Sequence, residues 1–446
     1  MKRWLTHLVL VLLFTGPAVA ETTELHCGKD SARALVLSGG GAKGAFEAGA
    51  VFHLVAHRYC DFMDISGVSV GALNGAFLAE ASASSQSLSN LQQRVEDLVE
   101  FWLGIKGPQD ILEPRFLGKL RLFIFGLDSL NDFTPLERII GNVIHPTKIR
   151  ESKRSLRIGV VSFYDGVYHE IDPILVSDDN DFRKYVYASA AIPVNARMPR
   201  FRIAGHGSAG TDVQFADGGI SHATPLASYF SPCDFSPELM FAEGKPASNC
   251  VISGLVQHHE PIKELFVIIA NPYNPATSSL QTKQMATSNG SVILDRTLDL
   301  LTLSPYRWDL NFALTANRML EWRSNAYDWA VSVVNEEKAK EMLSSMDKSG
   351  LKNSAPPEFP VRSANPGPNG FSLPYTMSII APSKVYADTY AFDPDNIRLQ
   401  LYKGCVQADY AMVNLGKDSM RDMCKLKFPI NVDQLKDDPD PPLNKR

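Results

Sequence analysis

The chain has 446 residues, 45% of them hydrophobic, which suffices to bury a large core; length alone would allow two or three domains, and no repeat or long low-complexity linker forces a division. Its formal net charge of −5 becomes −7 if Lys2 and Arg3 leave with a cleaved leader, and a mildly acidic mature protein argues against nucleic acid as a partner. No Cys-x-x-Cys spacing occurs and no metal site is expected, although His53 and His57 stand at His-x-x-x-His spacing.

At the start, Lys2 and Arg3 precede an apolar run from Leu8 to Phe14 and the small-residue stretch Ala18-Val19-Ala20. This pattern predicts a secretory signal peptide over residues 1–20, cut after Ala20. The apolar run is too short for the ~20 residues a membrane-spanning helix requires. Export to periplasm, cell surface or medium is the expected address. All six cysteines, Cys27, Cys60, Cys233, Cys250, Cys405 and Cys424, follow the leader, so an exported chain can pair every one. Nearest-neighbour pairing is expected: Cys27–Cys60, Cys233–Cys250 and Cys405–Cys424. For the first pair there is a geometric reason, since a helix packed antiparallel on its strand returns to that strand's starting end.

Residues 33–38 read as a buried strand, followed by the turn Gly39-Gly40-Gly41-Ala42-Lys43-Gly44 and a helix reaching about His57. Gly39, Gly41 and Gly44 satisfy Gly-x-Gly-x-x-Gly. One use of such a turn is dinucleotide binding, with Asp61 or Asp64 as the ribose partner of an oxidoreductase. A P-loop fits less well, because Lys43 is followed by Gly44 and not by Ser or Thr. A third use points the turn's amides at an oxyanion, with the Lys43 charge nearby.

Asp64 to Val68 then reads as a strand and Val70 to Ala76 as the start of a small-residue helix, with Ser69 on the turn between them. Gly67 and Gly71 complete Gly-x-Ser-x-Gly, a nucleophile elbow that lifts the serine oxygen out of the sheet. A serine elbow soon after the glycine turn favours the oxyanion use of that turn.

Farther on, 81–90 is a serine-rich connection and 91–104 a helix. Arg115 to Leu127 mixes basic and bulky apolar residues and suits an anionic lipid interface as well as a core element with a basic edge. Leu156 to Phe163 reads as a strand, and Asp165-Gly166 as a hairpin turn. A short helix over 183–192 is stopped by Pro193. The strand Val213 to Ala216 ends in Asp217-Gly218-Gly219, which places a carboxylate at a strand end. Another strand covers 263–270. A broken helix runs from about Leu294 to Glu341, and a loop rich in Pro, Ser and Asn covers 348–374. A strand at 375–382 and a helix at 394–414 follow, and residues 428–446 read as a poorly ordered tail. No internal repeat is present, and the Asn289-Gly290-Ser291 sequon decides nothing.

A serine hydroxyl is a poor nucleophile until a neighbour takes its proton, and a carboxylate with a pKa near ~4 is a weak base. Asp217 can serve directly in a partly dry site. Alternatively His222, His258 or His259 completes a triad.

Three motifs stand in order: Gly39 to Gly44, Gly67-Val68-Ser69-Val70-Gly71, and Asp217-Gly218-Gly219. Together with Ala188-Ser189-Ala190-Ala191-Ile192-Pro193 and Pro225, this set resembles the patatin-like phospholipases over about residues 31–425. The resemblance implies a three-layer α/β/α fold with a mostly parallel central sheet. It also implies a Ser69–Asp217 dyad, an oxyanion hole in the Gly39–Gly44 turn, and hydrolysis of lipid acyl esters of phospholipase A or lysophospholipase type without a cofactor. Insertions are expected near 84–150 and 271–374. This sequence departs from the family pattern at Lys43, where arginine is frequent, and at Ala223 and Thr224, where asparagine is usual before the proline. A lipid-binding protein without activity is the remaining alternative.

Overall fold

The structure is a computed structural model that describes residues 27, 32–115, 129–164, 166–202, 212–230, 262–272, 290–339, 373–384 and 389–430. The expected signal peptide, the Cys233–Cys250 pair, Asn289, most of 115–127 and the tail beyond residue 430 lie outside the described residues.

In chain order, β1 (Ala32–Leu37) leads through the glycine turn to α1 (Gly44–Phe52), which widens into one loose turn at His53–His57. β2 (Asp64–Val68) runs into α2 (Val70–Ala79), and α3 (Ser87–Gly104) follows. A small antiparallel pair, β3 (Glu113–Pro114) and β4 (Asn131–Asp132), precedes α4 (Thr134–Val143) and α5 (Pro146–Ser152). β5 (Ser155–Ser162) and β6 (Tyr168–Ile171) form the hairpin expected around Asp165-Gly166. Next come α6 (Asp179–Ser189), β7 (Arg200–Arg202), β8 (Asp212–Asp217), α7 (Ala227–Phe230) and β9 (Ile262–Ile268). The long α8 (Gly290–Val333), β10 (Thr376–Ile380), α9 (Pro394–Asn414) and α10 (Arg421–Lys427) complete the order.

Three elements differ from expectation, the first being α3, which begins at Ser87 instead of 91. α6 begins at Asp179 instead of 183, because the Asp178 side chain accepts from the Asp181 amide and satisfies the first turn. It ends at Ser189, short of Pro193. α8 runs unbroken through Pro305, which sits inside the helix. Its core-facing side chains beyond the proline hold the helix together despite the lost backbone donor.

The main sheet has the strand order β10-β9-β1-β2-β5-β8-β7, with β6 also paired to β5. From β10 to β5 every pairing is parallel; β5 with β6, β5 with β8, and β7 with β8 are antiparallel. Alternation along the central strands separates two cores. Leu35 and Leu37 of β1 and Phe266 and Ile268 of β9 face a core shared with α1, α2, α3, α6 and α9. Ala34 and Val36, with Leu265 and Val267, face the opposite core under α7 and α8. The result is the three-layer α/β/α arrangement.

Cys27 is joined to Cys60, and Cys405 to Cys424, the second bond tying α9 to α10. α1 and α9 cross with their backbones nearly touching. A Cβ on Gly49 would lie 1.9 Å from the Leu401 carbonyl oxygen, and one on Gly404 1.9 Å from that of Phe46. Both backbones are fixed in helices, so neither can yield cheaply. Gly404→Ala is therefore expected to cost more than ~2 kcal/mol of stability, read by urea denaturation. A midpoint equal to wild type would contradict this crossing.

Candidate active site

Ser69 lies between β2 and α2 with φ 56° and ψ −125°, a region that costs a non-glycine residue about 1–3 kcal/mol. The surroundings enforce the conformation. A Cβ on Gly67 would lie 2.2 Å from the Gly71 carbonyl oxygen, and one on Gly71 2.5 Å from the carbonyl oxygens of Leu37 and Ser38. Only glycine at both positions lets β1, β2 and α2 close around the serine. The Ser69 amide donates to Ser189 Oγ at 2.8 Å, and Ser189 Oγ donates to the Gly159 carbonyl at 2.6 Å. Thus the end of α6 and the middle of β5 both brace the elbow.

Asp217 reaches the same place from the other side of β5. Val68 pairs with Gly159 and Asp217 with Val160, so the two strand ends sit one residue apart along β5 although β2 and β8 run in opposite directions. Gly218 passes directly over β5, where a Cβ would lie 2.5 Å from the Gly159 carbonyl oxygen. The Gly219 amide donates to Asp217 Oδ1 at 2.7 Å, and the Asp217 amide donates to the Ala191 carbonyl at 3.0 Å. The Ser69 side chain faces the Asp217 carboxyl closely enough to pull its pKa down. Burial pushes the Asp217 carboxyl up to about 7, against the smaller opposing pull of the Gly219 amide and the Ser69 side chain.

The glycine turn closes the third side. A Cβ on Gly39 would lie 3.1 Å from Ser69 Cβ and 3.8 Å from Ser69 Oγ. Most of the turn's amides are already engaged: Gly39 donates to the Ala223 carbonyl, Ala42 to Thr389, Lys43 to Gly40, and Gly44 to Ala42 and Gly41. The amides of Gly40 and Gly41 donate to no group among the described residues, and Gly41 has φ +60°. Lys43 is buried, with its ammonium on Asn271 Oδ1 at 2.6 Å. The first amides of α2 also lack intrahelical partners, and no acidic side chain occupies that first turn.

Against known families, residues 35–229 match the family model for patatin-like phospholipase. This segment is a patatin-like domain. Lipid acyl hydrolysis is the activity the family implies. Among solved structures the chain is similar to VipD from Legionella pneumophila, with 16% identity and a TM-score of 0.26 over 43% of this chain and 46% of VipD. The chain thus spans less than half of that protein's length, and the likeness carries no argument about chemistry. No curated protein matches the chain.

Behind the glycine turn of the patatin-like domain lies a buried polar network that its motifs do not announce. Glu47 on α1 is fully buried and held well above the ordinary carboxylate range by desolvation. Asn74 Nδ2 donates to Glu47 Oε2 at 3.0 Å and to the Gly44 carbonyl at 3.1 Å, while Trp102 Nε1 donates to Asn74 Oδ1 at 3.1 Å. Ser38 Oγ stands 3.3 Å from Glu47 Oε1 and 3.2 Å from the Gly39 carbonyl oxygen, and it accepts from the Ala270 amide at 2.8 Å. A hydroxyl has one hydrogen. With Glu47 protonated and donating to Ser38, that hydrogen goes to Gly39, and every member is satisfied. Tyr306 on α8 donates to the same Gly39 carbonyl.

The rival uses of these motifs lack their parts. Asp61 pairs with Arg154 at 2.7 Å and Asp64 with Arg157 at 2.7 Å, and Asp64 opens β2 at the end of the sheet remote from the glycine turn, so neither serves a ribose there. His222 Nδ1 lies 2.7 Å from Asp309 Oδ1, and among the described residues the hydrogen bond to the Asp217 side chain comes from the Gly219 amide and not from a histidine. His258 and His259 lie outside those residues.

Because a protonated Glu47 behaves as an amide does, Glu47→Gln is expected to keep ester hydrolysis within a few-fold of wild type. Glu47→Leu, which strands Ser38 and Asn74, is expected to lose at least tenfold in kcat/KM, in line with ~1.4 kcal/mol per decade. Equal activity of the Leu variant would remove the network from the site.

Proposed function

We propose that the protein is an exported lipid acyl hydrolase of phospholipase A or lysophospholipase type working through a Ser69–Asp217 dyad. The observation that carries this reading is Ser69, held on its strained elbow, facing a buried carboxyl whose pKa is pushed up to about 7. An ordinary carboxylate is too weak a base for an alcohol; one raised to the working pH is both ionised in useful amount and a better proton acceptor.

In the proposed reaction Asp217 takes the hydroxyl proton as Ser69 Oγ attacks the ester carbonyl. The amides of Gly40 and Gly41, helped by the start of α2, receive the oxyanion, each donor worth about 3–4 kcal/mol. As the tetrahedral intermediate collapses, protonated Asp217 returns the proton to the departing alcohol oxygen, leaving an acyl-serine. Water then attacks the acyl carbonyl while Asp217 takes its proton, and the fatty acid leaves with Ser69 restored. Within the glycine turn, the engaged amides of Gly39, Ala42, Lys43 and Gly44 have a structural part. The Ala188–Pro193 segment positions both partners, through Ser189 on the elbow and Ala191 on Asp217. Export is supported by the leader sequence and by the bonded cysteine pairs, which suit an oxidising compartment.

Ser69→Ala and Asp217→Asn are each expected to lower kcat/KM on phospholipid esters by at least ~10³ with the fold intact, and wild-type kcat/KM is expected to fall as pH drops below about 7. Full turnover in either variant would contradict the dyad. Stability moves oppositely. The folded pKa of Asp217 lies above its unfolded value, so this group's contribution declines as pH rises from about 4 to about 7. Asp217→Asn is therefore expected to melt higher than wild type at neutral pH, by a few kcal/mol at most (~1.4 per pKa unit), with the gain vanishing below pH ~4.

A further inference from the structure

Helix α8 turns Tyr306, Leu310, Ala313, Ala316 and Leu320 into the core beneath it. Its opposite side carries Trp308, Trp322 and Trp329, which are 76%, 64% and 65% exposed, interleaved with exposed Met319 and Val333. At 100° per residue these five side chains fall within about 80° of the helix circumference. The chain contains five tryptophans. Trp4 belongs to the leader, Trp102 is buried, and the remaining three all stand on this one solvent-facing stripe. Single exposed apolar residues are ordinary, but an aligned row of indoles marks an interaction surface.

We infer that this tryptophan face of α8 docks on the surface of an anionic phospholipid bilayer. Indole rings favour the boundary between head groups and acyl chains, with an apolar body and a polar N–H. Arg307 and Arg318, both exposed and in no ion pair among the described residues, border the stripe, whereas Glu321 and Asp328 lie farther round the helix. A bilayer carrying anionic lipid complements that edge. No helix among the described residues is long and apolar enough to cross a membrane, so the contact is peripheral. The same helix also reaches the catalytic end of the sheet: Tyr306 holds the Gly39 carbonyl, and Asp309 holds His222 and the Thr224 amide just after the Asp217 turn. Seating α8 on a bilayer brings the Ser69 site to the surface where its ester substrates reside. This deepens the hydrolase reading and rests on it for the identity of the substrate.

The test uses the full mature chain with Ser69→Ala, so that binding is read without hydrolysis. It is mixed with phosphatidylcholine vesicles with and without phosphatidylglycerol and sedimented. Binding is expected to the phosphatidylglycerol vesicles, with a blue shift of tryptophan fluorescence. The triple variant Trp308→Ser, Trp322→Ser, Trp329→Ser is expected to bind at least tenfold more weakly, and Arg307→Glu with Arg318→Glu to lose the preference for anionic vesicles. With Ser69 restored, the triple variant is expected to retain hydrolysis of a soluble short-chain ester. Vesicle binding unchanged in the triple variant, or absent in the parent, overturns the inference. So does a parent dimer that the triple variant converts to monomer without any vesicle binding, since a second copy then covers the face. Absence of hydrolysis of any ester by wild type, with vesicle binding intact, would instead sink the hydrolase reading.

Discussion

Everything in the site follows from one carboxylate placed in the interior without a cation to receive it. Desolvation raises Asp217, and what opposes it is an amide from Gly219 and the Ser69 hydroxyl. A charged partner would return the group to its ordinary acidity and make it useless as a base for an alcohol. Elsewhere the protein handles buried acids differently. Asp64 is matched by Arg157, and Asp409 by Arg58 at 2.6 Å. Those are structural pairs. Asp217 and Glu47 are held above the ordinary carboxylate range without a cation among the causes, and both stand around the glycine turn and the elbow.

The fold serves this arrangement through β5, the strand between Ser69 and Asp217. β2 delivers Ser69 parallel to it and β8 delivers Asp217 antiparallel to it, at adjacent registers. Ser189, the last residue of α6, and Ala191 just beyond it clamp the backbone amides of both residues. A strained serine and a destabilised carboxylate are thus supported by one short segment anchored to a common strand, as preorganised chemistry requires. Stability lost at these two residues is offset by the two apolar cores on either side of the sheet.

Local chemistry explains what could be read from the sequence. Gly67 and Gly71 flank Ser69 because three chains meet there, and Asp217-Gly218-Gly219 sits at a strand end because glycine alone fits over Gly159. Both are visible as motifs, as are the parallel core strands and α9. Less legible is whatever depends on distant packing. Ser189 stood out as part of a motif, but its bond to the Ser69 amide spans 120 positions. Tyr306 and Asn271 look like ordinary helix and loop residues until the fold sets them against Gly39 and Lys43. Glu47 reads as a surface acid in a helix, and only its complete burial reveals that its carboxyl is held well above the ordinary range. The antiparallel direction of β8 is equally hidden, because a strand's direction is set by the path of its connections and not by its own residues.

The most direct test of this dependence on a buried base is the rate at which a fluorophosphonate adds to the enzyme across the pH range, with the adduct located by mass spectrometry. Phosphonylation of Ser69, falling away below a single midpoint near 7 and nearly abolished in Asp217→Asn, is the outcome expected. A rate independent of pH between about 4 and 8, or an adduct on another residue, would contradict it.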